Sequence, residues 1–201
     1  MDIVVDTVKK MEEFMENSGC DTGGIRLDVD PDAHVCEYEK GACLIASFGG
    51  RNGEFVTNNP VTALVRISFL FGAPLDTAQT RSAACAIINA VTGFFCLSRV
   101  LHSCHPSQHF PCMELLKSEL AGHTVCCIGD MPTLEAGLGS YLTLDPQGAE
   151  IILINGEGII REGTGEVVAR LRKEKRIICL GPSTAGVARI QEIEHWCPFG
   201  T

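Results

Sequence analysis

The last eighty residues constrain this chain more than any other part of it. Short apolar runs recur there: TVCCIG (124–129), YLTLD (141–145), EIILING (150–156) and RIICLGPST (176–184). Each closes on glycine, aspartate, or serine and threonine. Helical patterns follow the later runs, TGEVVARLRKE (164–174) and AGVARIQEI (185–193). Such runs are too short for buried helices, and alternation with helices predicts a parallel sheet covered on both faces. Right-handed crossovers set the post-strand loops along one edge of such a sheet. That edge is where open parallel sheets bind ligands. The predicted fold class is therefore α/β, a Rossmann-like parallel-sheet domain with a smaller N-terminal α+β unit.

The earlier part of the chain is more mixed. Residues 2–17 carry Ile3, Val4, Val8, Met11, Phe14 and Met15 at helical spacing, and Asn17-Ser18-Gly19 ends the pattern. Residues 25–29 and 42–48 read as strands, and the stretch from Phe48 to Phe55 as a hairpin turn. Residues 61–71 fit either a strand or a short helix. The longest helical pattern is 76–100, with Ala83, Ala84, Ile87, Ile88, Val91 and Phe95 in register. Asn89 lies inside it, where a buried amide needs partners; it is either a structural clamp or a cleft residue. Residues 102–112 hold two prolines, which exclude a regular helix across them, and 113–120 read as a short helix ended by Gly122. The chain divides into a small α+β domain, 1–75, and a Rossmann-like domain, 76–201.

Charge and cysteine usage limit the partners. The formal net charge is -9 and there is no basic tract, which argues against nucleic acid. The densest basic group, Arg161, Arg170, Arg172, Lys173, Lys175 and Arg176, reads as a solvated helix face. No apolar run approaches the roughly 20 residues of a membrane span. The chain opens on an amphipathic helix and not a secretory leader. Eleven cysteines, an odd number, then fit free thiols in a reducing cytoplasm. Cys96, Cys126, Cys127 and Cys179 sit in apolar runs as small hydrophobes. A homodimer is the expected assembly.

The loops supply the chemistry. Candidate cofactor contacts are Gly129, Asp130, Asp145, Asn155, Gly156, Gly181, Ser183 and Thr184. Glycines at strand ends let the backbone approach a ligand. G-x-G-x-x-G is absent, which argues against NAD or FAD. Asp145 is either a ribose anchor or a turn aspartate before Pro146. Glu157 and Glu162 flank the third-strand loop as candidate catalytic acids or bases, or as solvated loop residues. Ser183 and Thr184 cap the next helix, donate to an anion, or both. No G-x-S-x-G elbow surrounds either serine-bearing loop. Finally, Cys104, His105, His109 and Cys112 are candidate ligands for zinc, iron or nickel, at a spacing unlike that of a zinc finger.

Several landmarks together resemble one family. RSAACAIINAVTG (81–93) gives Arg81, Asn89 and Ala90; VCCIGDMP (125–132) gives Gly129 and Pro132. INGEGIIREGT (154–164) and LGPSTAG (180–186) give Gly156, Glu162, Thr164, Gly181, Pro182, Ser183 and Thr184. Their order and spacing resemble the heavy-metal chelation family (DUF364-like), a Rossmann-like family of unknown function. The resemblance covers roughly 81–201 and implies a smaller α+β domain joined to the Rossmann-like one, with a cleft between. Asn155 stands where the family has threonine and Glu162 where it has asparagine. The N-terminal region is shortened or altered, and 102–112 matches no part of the pattern. The expected function is to bind or process a metal or metal-containing cofactor in the interdomain cleft, with a nucleotide-like cosubstrate. A transferase of cofactor biosynthesis using S-adenosylmethionine is the alternative. A non-catalytic metal-binding or structural interaction protein is the third reading.

Overall fold

The computed structural model describes residues 2–201. Helix α1, Ile3–Met15, starts on Asp2, whose carboxylate accepts the N–H groups of Val4 and Val5 at 3.0 and 3.2 Å. It buries Ile3, Val4, Val8, Met11 and Met15, the apolar stripe of the sequence. Strands β1 (Gly24–Asp30), β2 (Ala42–Phe48), β3 (Arg51–Thr57) and β4 (Ala63–Arg66) form an antiparallel sheet in the order β3-β2-β1-β4. The expected hairpin turns on Gly49 and Gly50, with φ of 55° and 79°. The ambiguous 61–71 segment divides into β4 and one 3₁₀ turn, Ile67–Phe69.

Helix α2, Ala78–Phe94, opens on a capping box between Thr77 and Thr80 and packs on β2 and β3. Gly53 makes that approach feasible: a Cβ there would stand 2.4 Å from the backbone nitrogen of Ala90. The helix stops short of the predicted residue 100, and Cys96 leaves it in the left-handed region.

Helix α3, His109–Leu120, starts earlier than predicted. Pro111 falls in its first turn, where the missing N–H had no helical partner to lose. Beyond it, β5 (Val125–Ile128), β6 (Ile151–Ile154), β7 (Arg176–Leu180) and β8 (Glu194–Trp196) make a parallel sheet in the order β5-β6-β7-β8. Helices α4 (Pro132–Leu138), α5 (Gly156–Ile160), α6 (Thr164–Leu171) and α7 (Ala185–Gln191) connect these strands. The sequence pattern missed α4, α5 and β8. It also overcounted: 141–145 is not a strand. A 3₁₀ turn, Gly139–Tyr141, leads into a single parallel bridge from Leu142 to Val125. Asp145 then closes a turn by accepting the N–H of Gln147, and Leu144 is 92% exposed with nothing to pack on.

That bridge still sets the 142 segment outside β5. The chain moves outward from β5 to Leu142 and then returns to β6 on the other side. A topological switch point therefore lies between the C-terminal ends of β5 and β6.

Asn89, fully buried in α2, sews the two sheets together. Its Nδ2 donates to the carbonyls of Glu54 on β3 and Ser183 after β7, at 2.7 and 3.0 Å. Its Oδ1 accepts the N–H of Gly186 in α7 at 2.8 Å. One apolar core joins α1, the antiparallel sheet, α2 and α7, and a second packs α3 and α4 with Cys36 and Tyr38. Among the described residues no helix is long and apolar enough to cross a membrane.

Candidate functional site

The C-terminal ends of the parallel strands all face one short irregular segment, residues 36–40 of the first unit. At β5, Lys40 pairs with Asp130 at 3.3 Å. At β6, the carbonyl of Tyr38 accepts Nδ2 of Asn155 at 2.8 Å. Glu39 lies between the loops after β6 and β7. A Cβ on Gly156 would stand 2.9 Å from its Oε1, and one on Gly181 would stand 3.5 Å away. At β8, Cys36 lies near Cys197 and against Gly181. The segment thus forms a strap with one contact for each strand end.

Several predicted ligand contacts are committed to the fold itself. Asn155 is buried; besides Tyr38, its Nδ2 donates to the carbonyl of Asp130 at 3.1 Å, and its Oδ1 caps α5 through Gly158 at 2.9 Å. Thr184 donates back to the carbonyls of Leu180 and Gly181. Ser183 Oγ accepts the N–H of Val56 on β3 at 2.9 Å. Gly129, Gly156 and Gly181 keep the strand ends close to Asn155, Glu39 and Cys36.

Glu39 was not evident in the sequence, where it is one acid among several in CEYEK. In the fold it is 7% exposed, and no hydrogen bond of regular geometry reaches either carboxyl oxygen from the described residues. Burial pushes its pKa up to about 8, and the charge of Glu54 adds to the effect. The hydroxyl of Ser183 and the N–H of Gly156, which lie alongside, offset only part of this. Among the described residues, the other buried side-chain atoms without partners belong to Ser103, His109 and Trp196. They lie on the 102–112 segment and at the end of β8, so the unsatisfied polar groups gather at the same edge of the molecule. Buried groups left unpaired cost about 1–3 kcal/mol each, which makes their concentration informative.

The predicted metal ligands are divided. Cys104 and Cys112 are both buried and lie near each other and near Cys197. Tyr38 Oη stands 3.2 Å from Cys112 Sγ. Burial raises the thiols of Cys36, Cys104 and Cys197, the last to about 12, so all three hold their protons at neutral pH. His109 sets Nδ1 3.3 Å from Glu37, with Nε2 buried and unpartnered. His105 is exposed: its Nδ1 accepts the N–H of Ser107, and its ring meets that of His34 edge-on at 5.3 Å. Among the described residues no three His, Cys, Asp or Glu side chains are placed to hold a metal ion together.

At the switch point the two units open a cleft of about 200 Å³, lined by Lys40, Asn58 and Asn59 from one and by Glu157 and Arg161 from the other. Glu157 Oε2 accepts the N–H of Asp130 at 2.6 Å, and its Oε1 accepts Arg161 Nη2 at 2.8 Å. Lys40, Asp130, Glu157 and Arg161 therefore form one continuous run of alternating polar contacts. Glu162 turns away from it, into a separate cleft of about 400 Å³ with Cys127, Arg161 and Arg170. The structure thus separates the two predicted catalytic carboxylates. Asp145 lines neither cleft and serves its own turn.

No described family's sequence profile matches the chain, and no curated protein matches it. Solved structures do. One is a DUF364-family protein of unknown function from Desulfitobacterium hafniense DCB-2, 15% identical, with a TM-score of 0.53 over 93% of this chain and 82% of that one. Another is a DUF364-family protein of unknown function from Pyrococcus horikoshii, also 15% identical, with a TM-score of 0.48 over 90% of this chain and 79% of that one. Identity at this level speaks to fold alone. The chain has the α/β fold of a DUF364-family protein, the family that its sequence landmarks resemble.

Proposed function

We propose that the protein binds a small molecule in the interdomain cleft at the switch point between β5 and β6. The observation that carries this reading is that Lys40 of the antiparallel unit pairs with Asp130 and shares a cleft with Glu157 and Arg161 where the chain's direction across the parallel sheet reverses. Open α/β sheets take their ligands at that position. The Lys40–Asp130 and Arg161–Glu157 pairs are solvent-exposed, and such pairs contribute roughly 0–1 kcal/mol. A ligand can therefore replace them at little cost. Gly129 and Asn155 hold the loops in place and leave the exposed side chains to do the binding.

A metal-bearing cofactor, or the nucleotide-like molecule that the Rossmann-like loops suggest by analogy of fold, would meet the protein here through charged groups on its periphery. The buried thiols of Cys36, Cys104, Cys112 and Cys197 are chemically suited to a soft ion. Their present placement does not join them into a site, and no metal step is assigned to them.

The test is native mass spectrometry on protein purified anaerobically from its own host. The expected result is an adduct that disappears in the Lys40→Ala/Arg161→Ala double variant. An adduct retained in that variant and lost in Cys104→Ala or Cys112→Ala protein would move the site to the thiols. A clean unliganded mass, unchanged on adding zinc, iron, nickel or S-adenosylmethionine, would sink the reading.

A further inference from the structure

Resting on the cleft as the ligand site, we infer that its ligand is a small amino-carboxylate, a zwitterion with an ammonium and a carboxylate group a few bonds apart. Size is the first argument. At about 200 Å³ the cleft falls below the roughly 300–1,000 Å³ of sites that enclose drug-sized ligands. It encloses a group of amino-acid size and would leave most of a nucleotide outside.

Charge is the second argument. Lys40, Arg161 and Glu157 line the cleft; Lys40 pairs with Asp130 beside it and Arg161 with Glu157, and the two pairs are joined through the backbone N–H of Asp130 on Glu157. A purely anionic ligand that captured Lys40 and Arg161 would set its own charge beside the Glu157 carboxylate that shares the cleft. A purely cationic ligand would set its charge beside the two basic groups in the same way. A zwitterion answers both signs in the cleft: its carboxylate takes Lys40 and Arg161, and its ammonium takes Glu157.

The free valences agree. Arg161 uses only Nη2 on Glu157, which leaves the rest of its planar fork for a bidentate carboxylate. Asn58 and Asn59 at the rim offer both donors and acceptors to an uncharged portion.

The experiment is isothermal titration calorimetry on the full chain. The probes are glycine, L-alanine and L-glutamate, set against propionate, propylamine, inorganic phosphate and adenosine monophosphate. The expected result is saturable binding of at least one amino acid, weakened about tenfold or more by Arg161→Gln and by Lys40→Met. Propionate and propylamine alone would not compete for it. Both side chains are exposed, so the variants should keep the parent's thermal midpoint, and that is checked in parallel. Phosphate or the nucleotide binding in place of every amino acid would overturn the ligand class and leave the cleft standing. Amino-acid binding that ignores both variants would overturn the assignment to this cleft. Absence of binding by all the probes would overturn the inference, while the host-derived adduct still decides the cleft separately.

Discussion

Gly129 has no room for a side chain because Asn155 occupies the space: a Cβ would stand 1.8 Å from Asn155 Oδ1. Gly129 also sits at φ 113°, in the region that favours glycine. Gly129→Ala should therefore destabilise the protein by about 3 kcal/mol or more, from overpacking and backbone strain together. Urea denaturation measures this. Adding Asn155→Ala should relieve part of the overlap, so the double variant should lose less than the sum of the single losses. Simple additivity would show that the two residues do not share the space.

Asn89→Ala should cost about 3 kcal/mol in the same measurement, because it leaves the Glu54 and Ser183 carbonyls and the Gly186 N–H without their partner. Asn89→Leu keeps the bulk and should rescue little. Rescue by leucine would make packing, and not hydrogen bonding, the residue's role.

Glu39 should give the fold a pH dependence of defined sign. Its ordinary pKa is 4.5 and burial raises it to about 8. Between those values the native protein holds a proton that the unfolded chain has released. Stability should be greatest below the lower value, fall as pH rises, and level off above about pH 8. His102, raised by its hydrogen bond to Glu54, adds a slope of the same sign, so the comparison must be with a variant. Glu39→Gln should flatten the curve and be the more stable protein at about pH 9. Parallel curves for parent and variant from acid to alkaline pH would contradict this.

Cysteine reactivity should follow burial. Cys96 is exposed, while Cys36, Cys104 and Cys112 are buried. Brief iodoacetamide treatment of the native protein, read by peptide mass spectrometry, should modify Cys96 first and spare Cys36, Cys104 and Cys112 until denaturant is added. Rapid native labelling of Cys104 or Cys112 would mean that the 102–112 segment opens in solution.

Local features were legible in the sequence where they were repetitive, and tertiary ones were not. The stripe of α1, strand β2 with a turn after it, and three of the four parallel strands follow directly from spacing, whereas residues 51–55, read as part of that turn, belong to strand β3. YLTLD looks like a strand because apolar residues alternate, but Leu144 has no neighbour to bury it and the turn at Asp145 ends the pairing after Leu142. Pro111 looks like a breaker, yet a proline in the first turn of a helix removes no bond. At the site, Glu157 and Glu162 are near neighbours in the chain, but α5 ends between them and turns them into different clefts. Glu39, Cys36 and Cys197 carry no local signature at all. Their importance comes from contacts across more than a hundred residues, which no spacing rule records.

The strap at 36–40 makes the two halves of the chain poor candidates for exchange. It is encoded among the antiparallel strands, yet Lys40, Tyr38, Glu39 and Cys36 finish the working edge of the parallel sheet. A parallel half transplanted without it would be left with four bare strand ends and an Asn155 that had lost the Tyr38 carbonyl. Shuffling by recombination would thus have to carry both halves together, which makes the whole chain, and not either sheet, the smallest heritable unit of whatever the cleft does.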